Sequence, residues 1–139
     1  MCIRDSYIAE QLALELGAAF FQEFDSIIPI PLHRKKLKIR GFNQNDLIAE
    51  GIHNIHKIPV EPDKAHTHKK HFQSKNKNRL ERWDIVKSAF KLDNTDKLKG
   101  KHILLVDDVF TTGATIEACI KTLQKQAAFK CSILTLARA

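Results

Sequence analysis

Apolar residues recur at helical spacing in the amino-terminal part of the chain. Residues 7–24 repeat them every three to four positions, which predicts one amphipathic helix. The positions that carry this prediction are Ile8, Leu12, Leu16, Ala19 and Phe20. Residues 1–6, MCIRDS, fit no element of this pattern, and we interpret them as a sequence artefact or a truncated start. We therefore expect the folded chain to begin at Tyr7.

Two further segments predict helices. Asn43 can cap a helix that runs to about Ile55, because an asparagine side chain accepts a hydrogen bond from the first turn. The apolar face of this helix consists of Leu47, Ile48 and Ile52. Residues 114–126 predict another helix from the same spacing. Its inward face consists of Ile116, Ile120 and Leu123.

Three short apolar runs predict buried strands, namely SIIPIPL (26–32), HILLVDD (102–108) and CSILTLA (131–137). The prolines of the first run must end its strand, because proline cannot continue a sheet ladder. Strands and helices alternate along the chain, which is typical of a mostly parallel, twisted α/β sheet with helices on both faces. Residues 7–139 of this 139-residue chain are expected to form a single domain.

Polar segments connect these elements. Residues 33–44, HRKKLKIRGFNQ, predict a basic loop. Residues 57–79 are polar and basic, and they predict one or two weak strands and a long loop, which would be either a functional lid or a disordered polar segment. Residues 80–92 are expected to begin as a helix, and AFKL (89–92) predicts a short strand.

Charge and cysteine content narrow the class of protein. The chain has 23 Lys and Arg against 16 Asp and Glu, a net charge of +7. This balance favours anionic partners, although many basic domains carry only a solvated cationic rim. Cys2, Cys119 and Cys131 form no CxxC pair, which argues against a zinc ribbon within this chain and favours a reducing cytoplasm. No apolar run approaches the roughly 20 residues of a membrane span, and no signal peptide is visible.

The chemistry is concentrated in ILLVDDVFTTGAT, residues 103–115. Asp107 and Asp108 end the most apolar strand, and ligands of open α/β sheets bind beyond such strand ends. Next comes a loop that leads into a helix amino terminus, where free N–H groups and the helix dipole favour a phosphate. The residues of this predicted phosphate cradle are Thr111, Thr112, Gly113, Ala114 and Thr115.

Two carboxylates beside a phosphate cradle would repel the phosphate unless they bind another part of the same ligand. Ribose offers two cis hydroxyl donors near its 5′-phosphate, so Asp107 and Asp108 together with the loop predict a ribose-5-phosphate clamp. The alternative is an ordinary strand–turn–helix in which aspartate serves the turn, because aspartate favours such turns. A Walker loop and a GxGxxG dinucleotide loop are both absent from the sequence.

The same stretch resembles the PRPP-binding signature of type I phosphoribosyltransferases. Residues 29–49, PIPLHRKKLKIRGFNQNDLIA, resemble ComF-type competence proteins, whose hallmark is Pro-x-Pro-Leu followed by Arg-Gly-Phe-Asn-Gln. Here that motif is Arg40, Gly41, Phe42, Asn43 and Gln44. Residues 78–90 and the closing ILTLARA are similar to the same family, so the resemblance covers nearly all of residues 7–139. It implies a type I phosphoribosyltransferase-like fold.

The resemblance also implies an activity. Such enzymes displace pyrophosphate from PRPP through a transition state like an oxocarbenium ion. Asp107 and Asp108 would be the catalytic pair that holds the ribose hydroxyls, and Mg²⁺ would come with PRPP and need no direct protein ligand. Pyrophosphate binding would fall to the residues that follow the first strand and to those of a lid loop. These residues are His33, Arg34, Lys35, Lys36, Lys75, Lys77, Arg79 and Arg82.

Two departures from the family pattern stand out. Members commonly carry a cysteine zinc ribbon before this domain, and its absence here makes us expect an amino-terminal truncation. The lid of the family is richer in Arg and Thr than the segment 69–73, KKHFQ, of this chain. A nearby histidine cluster, His66, His68 and His71, lacks the spacing of a helical metal pair, so no protein-held metal is predicted.

Three functions remain open from sequence. The first is a PRPP-binding protein that transfers the phosphoribosyl group to an acceptor. The second is a competence accessory that binds single-stranded DNA or proteins of the competence machinery through the basic segments 33–40 and 69–82, with the PRPP site regulatory or vestigial. The third is a sensor, in which a phosphoribosyl ligand shifts a conformational population without being consumed.

Overall fold

The computed structural model describes residues 3–32, 34–61, 98–125 and 127–139. The elements predicted within residues 80–92 lie outside these ranges. The described residues form four helices and three strands in the order α1 (Ile3–Phe21), β1 (Ser26–Pro29), α2 (Arg34–Arg40), α3 (Gln44–His56), β2 (His102–Phe110), α4 (Ala114–Gln124) and β3 (Lys130–Arg138).

The three strands form one parallel sheet in the order β1–β2–β3. Ile27 pairs with Leu104, and Ile103 pairs with Cys131. All three strands therefore end at the same edge, which confirms the predicted parallel α/β architecture. A single bridge between Ile27 and Val60 adds a parallel contact on the outer side of β1.

Side chains alternate between the two faces of the sheet and build two apolar cores, which explains why β1 and β2 read as unbroken apolar runs. Helices α1 and α3 cover one face, where the strands contribute Ile27, Leu104 and Val106. Helix α4 covers the other face, where the strands contribute Ile28, Ile103 and Leu105. The prediction of helices on both faces is therefore confirmed. Within the described part of the chain, no helix is both long and apolar enough to cross a bilayer.

The first helix differs from its prediction in bounds and in buried face. It begins at Ile3 rather than Tyr7, so residues 3–6, for which the sequence pattern predicted no element, are helical. Gly17 interrupts it with φ 76° and ψ 165°. The helix buries Ala9 and Ala13 completely, whereas Ile8 is 52% exposed. Large apolar residues do not fill this contact because α1 packs closely on α3, and only small side chains fit between them.

The segment predicted as a basic loop contains a helix. Residues 34–40 form α2, which ends where the Gly41 N–H donates to the Leu37 carbonyl at 2.7 Å and Gly41 adopts φ 79°. Glycine commonly ends a helix in this left-handed conformation. The predicted cap of α3 is confirmed, because the Asn43 Oδ1 accepts from the Asn45 backbone N–H at 3.2 Å.

Candidate functional site

The candidate site lies at the carboxyl edge of the sheet, where β1 and β2 end beside the amino terminus of α3. The Ile30 carbonyl, just beyond β1, accepts from Asn43 Nδ2 at 3.0 Å and from Asn45 Nδ2 at 2.8 Å. Both asparagines are buried. The start of α3 is therefore fixed to the end of β1 by two side-chain amides, and this joint stands next to Asp107.

Asp107 is half-buried, and two donors hold one of its carboxylate oxygens. Its Oδ1 accepts from Asn45 Nδ2 at 3.0 Å and from the Asp108 backbone N–H at 3.0 Å. Burial raises the pKa of Asp107 above its usual range, and the nearby carboxylate of Asp108 adds to this. The two N–H donors oppose the rise, because hydrogen bonds to the charged form favour it.

Asp108 uses its carboxylate in the same way. Its Oδ1 accepts from the Val109 backbone N–H at 2.8 Å. Among the described residues, no N–H group donates to the Oδ2 atom of either Asp107 or Asp108. Two neighbouring carboxylates are thus each fixed through Oδ1, and no N–H group among the described residues occupies their second oxygens.

The predicted phosphate cradle follows directly. Gly113 caps α4 with φ 75°, a left-handed conformation that costs glycine little. A Cβ atom at this position would lie 3.1 Å from two ring atoms of Phe110. The Thr112 hydroxyl accepts weakly, at 3.4 Å, from the Ala114 N–H. Thr111, Thr112, Ala114 and Thr115 are exposed, so the first turn of α4 faces solvent with N–H groups that have no partner within the helix.

A cleft of about 240 Å³ opens beside Asp108. Four elements line it, namely α1, α3, β2 and β3. The lining residues are Ile8, Gln44, Ile48, Asp108, Val109, Leu136 and Ala137. The aliphatic walls are accessible, since Val109 is 39% and Leu136 is 40% exposed. A mostly aliphatic cleft that is also lined by one carboxylate and one amide suits a small, mostly apolar group.

Comparison with known proteins shows the family to which the chain belongs. A family model described as "Phosphoribosyl transferase domain" matches residues 17–139, which include both strand ends and the loop. The chain is a ComF-type member of this phosphoribosyl transferase domain family. Membership confirms the fold predicted from the Asp-Asp-x-x-Thr-Thr-Gly pattern.

Three relatives illustrate the ComF relationship. Competence protein F of Haemophilus influenzae is 29% identical over 140 residues, which cover 100% of this chain and 57% of that protein. DNA utilization protein YhgH of Escherichia coli O157:H7 is 33% identical over 119 residues, 82% of this chain and 49% of that protein. Competence protein ComFC of Bacillus subtilis is 32% identical over 113 residues, 81% of this chain and 44% of that protein. The chain thus spans about half the length of these curated relatives.

The ComF motif, residues 40–44, joins α2 to α3. Arg40 Nη1 donates to Gln44 Oε1 at 2.8 Å, so it braces the turn. Gly41 ends α2, and Asn43 caps α3. Phe42 is half-buried between them. The motif therefore builds the turn that brings α3 against the site, and Gln44 also lines the cleft.

The structure describes the positions of only some of the predicted pyrophosphate residues. Lys35 and Lys36 are exposed on α2, directly after the carboxyl end of β1. Arg34 begins α2. The remaining predicted residues lie outside the described ranges; they are His33, Lys75, Lys77, Arg79 and Arg82, together with the histidine cluster His66, His68 and His71. Within those ranges, no three His, Cys, Asp or Glu side chains gather as metal ligands would.

Sequence reasoning missed one residue of the site. Asn45 is 4% exposed and joins Ile30 to Asp107, which lies 62 positions further along the chain. In the sequence it is a second polar residue after the Asn43 cap, where asparagine looks like part of an exposed first turn. Only the parallel pairing of β1 with β2 places it between two strand ends.

Proposed function

We propose that the chain binds PRPP or a related ribose-5-phosphate ligand at the carboxyl edge of its sheet. The observation that carries this proposal is the pair Asp107 and Asp108, each fixed through Oδ1 and each with an Oδ2 atom that accepts no N–H among the described residues. These two oxygens match the two adjacent hydroxyl donors of a ribose. The exposed first turn of α4, which begins at Ala114 six residues after Asp108, would hold the 5′-phosphate.

The same groups would support phosphoribosyl transfer. As the bond to pyrophosphate breaks, the ribose ring gains positive charge, and two fixed carboxylates beside it stabilise that charge. The acceptor would enter through the cleft, whose lining includes Asp108. A cleft of about 240 Å³ is smaller than the roughly 300–1,000 Å³ typical of sites for drug-sized ligands, so we propose a small acceptor.

The site also fits the metal ion that the family implies, with PRPP and water as its ligands. Mg²⁺ prefers hard oxygen ligands and keeps several waters, so the ligand's phosphates and ribose hydroxyls would hold it without a direct bond to Asp107 or Asp108. When bound, it would neutralise the leaving pyrophosphate. Asp107 and Asp108 would orient the ribose whether or not they also contact the ion through water.

Calorimetric titration with PRPP and Mg²⁺ tests the binding proposal. We expect the wild type to bind, and the Asp107→Asn, Asp108→Asn double variant to lose binding because the amides replace acceptors with donors. Asp25→Asn is the matched control, because Asp25 also accepts a backbone N–H, that of His102 at 2.8 Å, but at the opposite edge of the sheet. Binding that survives in the double variant, or that the control also loses, would contradict the proposed site.

A second measurement separates transfer from sensing. A transferase releases pyrophosphate from bound PRPP when a suitable small acceptor is supplied, and the double variant should not. A sensor would bind PRPP and leave it intact with every acceptor tried. Incubation of ³²P-labelled PRPP with panels of nucleobases and amines, followed by chromatography, distinguishes the two outcomes.

A second candidate function is binding of single-stranded DNA. Helix α2 favours it, because Lys35, Lys36, Lys38 and Arg40 are all exposed on a helix of 7 residues. The names of the relatives refer to competence and DNA utilization. In this alternative α2 would contact the phosphate backbone, and the chain's partners would include DNA and proteins of the competence machinery.

Fluorescence anisotropy with a labelled oligothymidylate tests this alternative. Replacing Lys35, Lys36 and Lys38 by Gln should weaken binding and flatten its salt dependence, because fewer counterions are released. The Asp107→Asn, Asp108→Asn double variant should bind DNA as well as the wild type does. An affinity that does not change with salt would exclude a phosphate-backbone contact.

A further inference from the structure

Asn45 contacts both strand ends that frame the site, although the sequence pattern predicted no role for it. Its Nδ2 donates to the Ile30 carbonyl at 2.8 Å and to Asp107 Oδ1 at 3.0 Å. We propose that Asn45 is the positioning residue of Asp107: it holds Oδ1 so that Oδ2 is presented to the ribose hydroxyl of the ligand. That Oδ2 meets a ribose hydroxyl rests on the proposed function, whereas the positioning of Asp107 by Asn45 does not.

The orientation of the Asn45 amide follows from its neighbours. Both neighbouring atoms, the Ile30 carbonyl oxygen and Asp107 Oδ1, are acceptors, so only the NH₂ end of the amide can face them. In this orientation Asn45 Oδ1 is buried without a partner among the described residues. A buried acceptor without a donor destabilises the fold. The side chain keeps this orientation because the reverse would place its oxygen against two other oxygens.

The contact fixes the Asp107 carboxylate from two directions. The Asp108 N–H comes from the strand itself, and Asn45 Nδ2 comes from α3. Together they occupy Oδ1, so rotation of the carboxylate would break two charge-assisted bonds, which are stronger than neutral ones. Asn45 also favours the charged form of Asp107 against the effect of burial. Without Asn45, the pKa of Asp107 would rise further and its orientation would depend on the Asp108 N–H alone.

Asn43 provides an internal control. It donates to the same Ile30 carbonyl, at 3.0 Å, and it too is buried, but its other side-chain hydrogen bonds within the described part of the chain are with the Asn45 N–H and with Asp46. Asn43→Ser retains a good helix cap and removes the amide that binds Ile30. It therefore reproduces the loss of contact with β1 without removing a donor from Asp107.

The first test needs no substitution and no ligand. In the wild type with labelled Asn and Asp side chains, NMR should show the Asn45 Nδ2 protons shifting with pH at the midpoint of the Asp107 carboxyl carbon. The Nδ2 protons of Asn43 should not follow that midpoint. Asn45 protons that remain unchanged while Asp107 titrates would overturn the proposal, whatever the result for PRPP.

The second test uses variants. Asn45→Leu keeps side-chain size and removes the donor, and Asn45→Ser is a smaller polar alternative if the first variant folds poorly. Both should raise the midpoint of Asp107, and Asn43→Ser should leave it unchanged. Equal midpoints in all three variants and the wild type would show that Asn45 has a structural role only.

The ligand arm links this contact to function. At neutral pH, Asn45→Leu should weaken binding of PRPP with Mg²⁺ by roughly tenfold or more, as expected for one hydrogen bond to a charged group. The acid limb of its binding profile should move to higher pH together with the Asp107 midpoint. If the wild type does not bind PRPP, the proposed function fails and the titration still decides the role of Asn45. If binding is lost without any change in the Asp107 midpoint, the positioning role is wrong.

Discussion

Leu136 and Ile133 lie three residues apart on β3, and they are exposed to a similar extent, 40% and 46%. Leu136 lines the cleft beside Asp108, whereas Ile133 does not. Successive side chains of a strand point to opposite faces, so an odd separation of three places the two residues on different sides of the sheet. A substitution at Ile133 is therefore a control for the same substitution at Leu136, because it changes a similarly exposed aliphatic residue of β3 outside the cleft.

We predict that Leu136→Glu closes the cleft to neutral rings. The new carboxylate adds charge and hydration to an apolar wall, and burying a charge without a partner is costly. Indole is a suitable probe, with binding followed through the NMR signals of the Ile8 and Ile48 methyl groups, which line the cleft. Indole should shift these signals in the wild type and in Ile133→Glu but not in Leu136→Glu. Equal shifts in both variants would show that indole binds elsewhere.

Asp107→Asn should stabilise the protein at neutral pH while it removes ligand binding. The pKa of Asp107 is raised, chiefly by burial, so the folded state holds this proton more tightly than the unfolded state does. Ionisation of Asp107 therefore reduces stability as the pH rises above the usual carboxyl range, and an amide avoids that loss.

Thermal melts at two pH values check this prediction. The melting temperature of Asp107→Asn should exceed that of the wild type near pH 7, and the difference should shrink below about pH 4, where the carboxyl is protonated in both states. A gain that is the same at both pH values would trace to packing or hydrogen bonding rather than to charge.

Gly51→Ala should destabilise the contact between α1 and α3. An added Cβ would lie 2.6 Å from Ala9 Cβ and 3.1 Å from backbone atoms of Ser6 and Glu10, so the helices must move apart. Overpacking of this kind costs roughly 1–3 kcal/mol, against about 1 kcal/mol that alanine contributes through helix propensity. Urea denaturation should show a lower free energy of unfolding.

A compensating substitution tests the cause. Ala9→Gly removes the methyl group that the new Cβ meets, so the Ala9→Gly, Gly51→Ala double variant should be more stable than the sum of the two single changes predicts. Residues in contact show such non-additivity, and distant residues do not. Simple additivity would mean that the Gly51 variant is destabilised for another reason.

The sheet and its two covered faces could be predicted because the residues 27–28 of β1 and 103–106 of β2 are fully buried on both sides and are all apolar. The buried face of α1 could not be predicted in this way. Its aliphatic residues Ile8 and Leu16 suggested the contact with the core, but the fit between Ala9 and Gly51 decides it. A pattern of large apolar residues cannot show that two helices approach closely enough to admit only small ones.

The site divides in the same way. Asp107, Asp108 and the loop over residues 111–115 are contiguous, so their chemistry can be read from one stretch of sequence. Asn45 becomes part of the site only through a contact across 62 positions. The cleft is likewise built by α1, α3, β2 and β3 together. Local sequence thus predicts the groups that would touch the ribose and phosphate, and tertiary structure is needed for those that hold them in place.

Gly113→Ala should weaken binding of ribose 5-phosphate in addition to lowering the free energy of unfolding. Two costs apply at Gly113: its φ of 75° disfavours an L side chain, and the new Cβ would lie 3.1 Å from the Phe110 ring. Gly100 is the matched control, because it has φ 73° but no atom within 4 Å of an added Cβ. The left-handed conformation costs alanine about 1–2 kcal/mol at either position.

Both alanine variants should therefore lose a similar free energy of unfolding from the backbone, measured in urea. Only Gly113→Ala must also displace Phe110 or shift the first turn of α4, whose N–H groups would hold the phosphate. Calorimetry with ribose 5-phosphate should then show weaker binding for Gly113→Ala and unchanged binding for Gly100→Ala. Equal affinities in the two variants would mean that the phosphate binds away from this loop, because a turn that bound it could not tolerate the displacement.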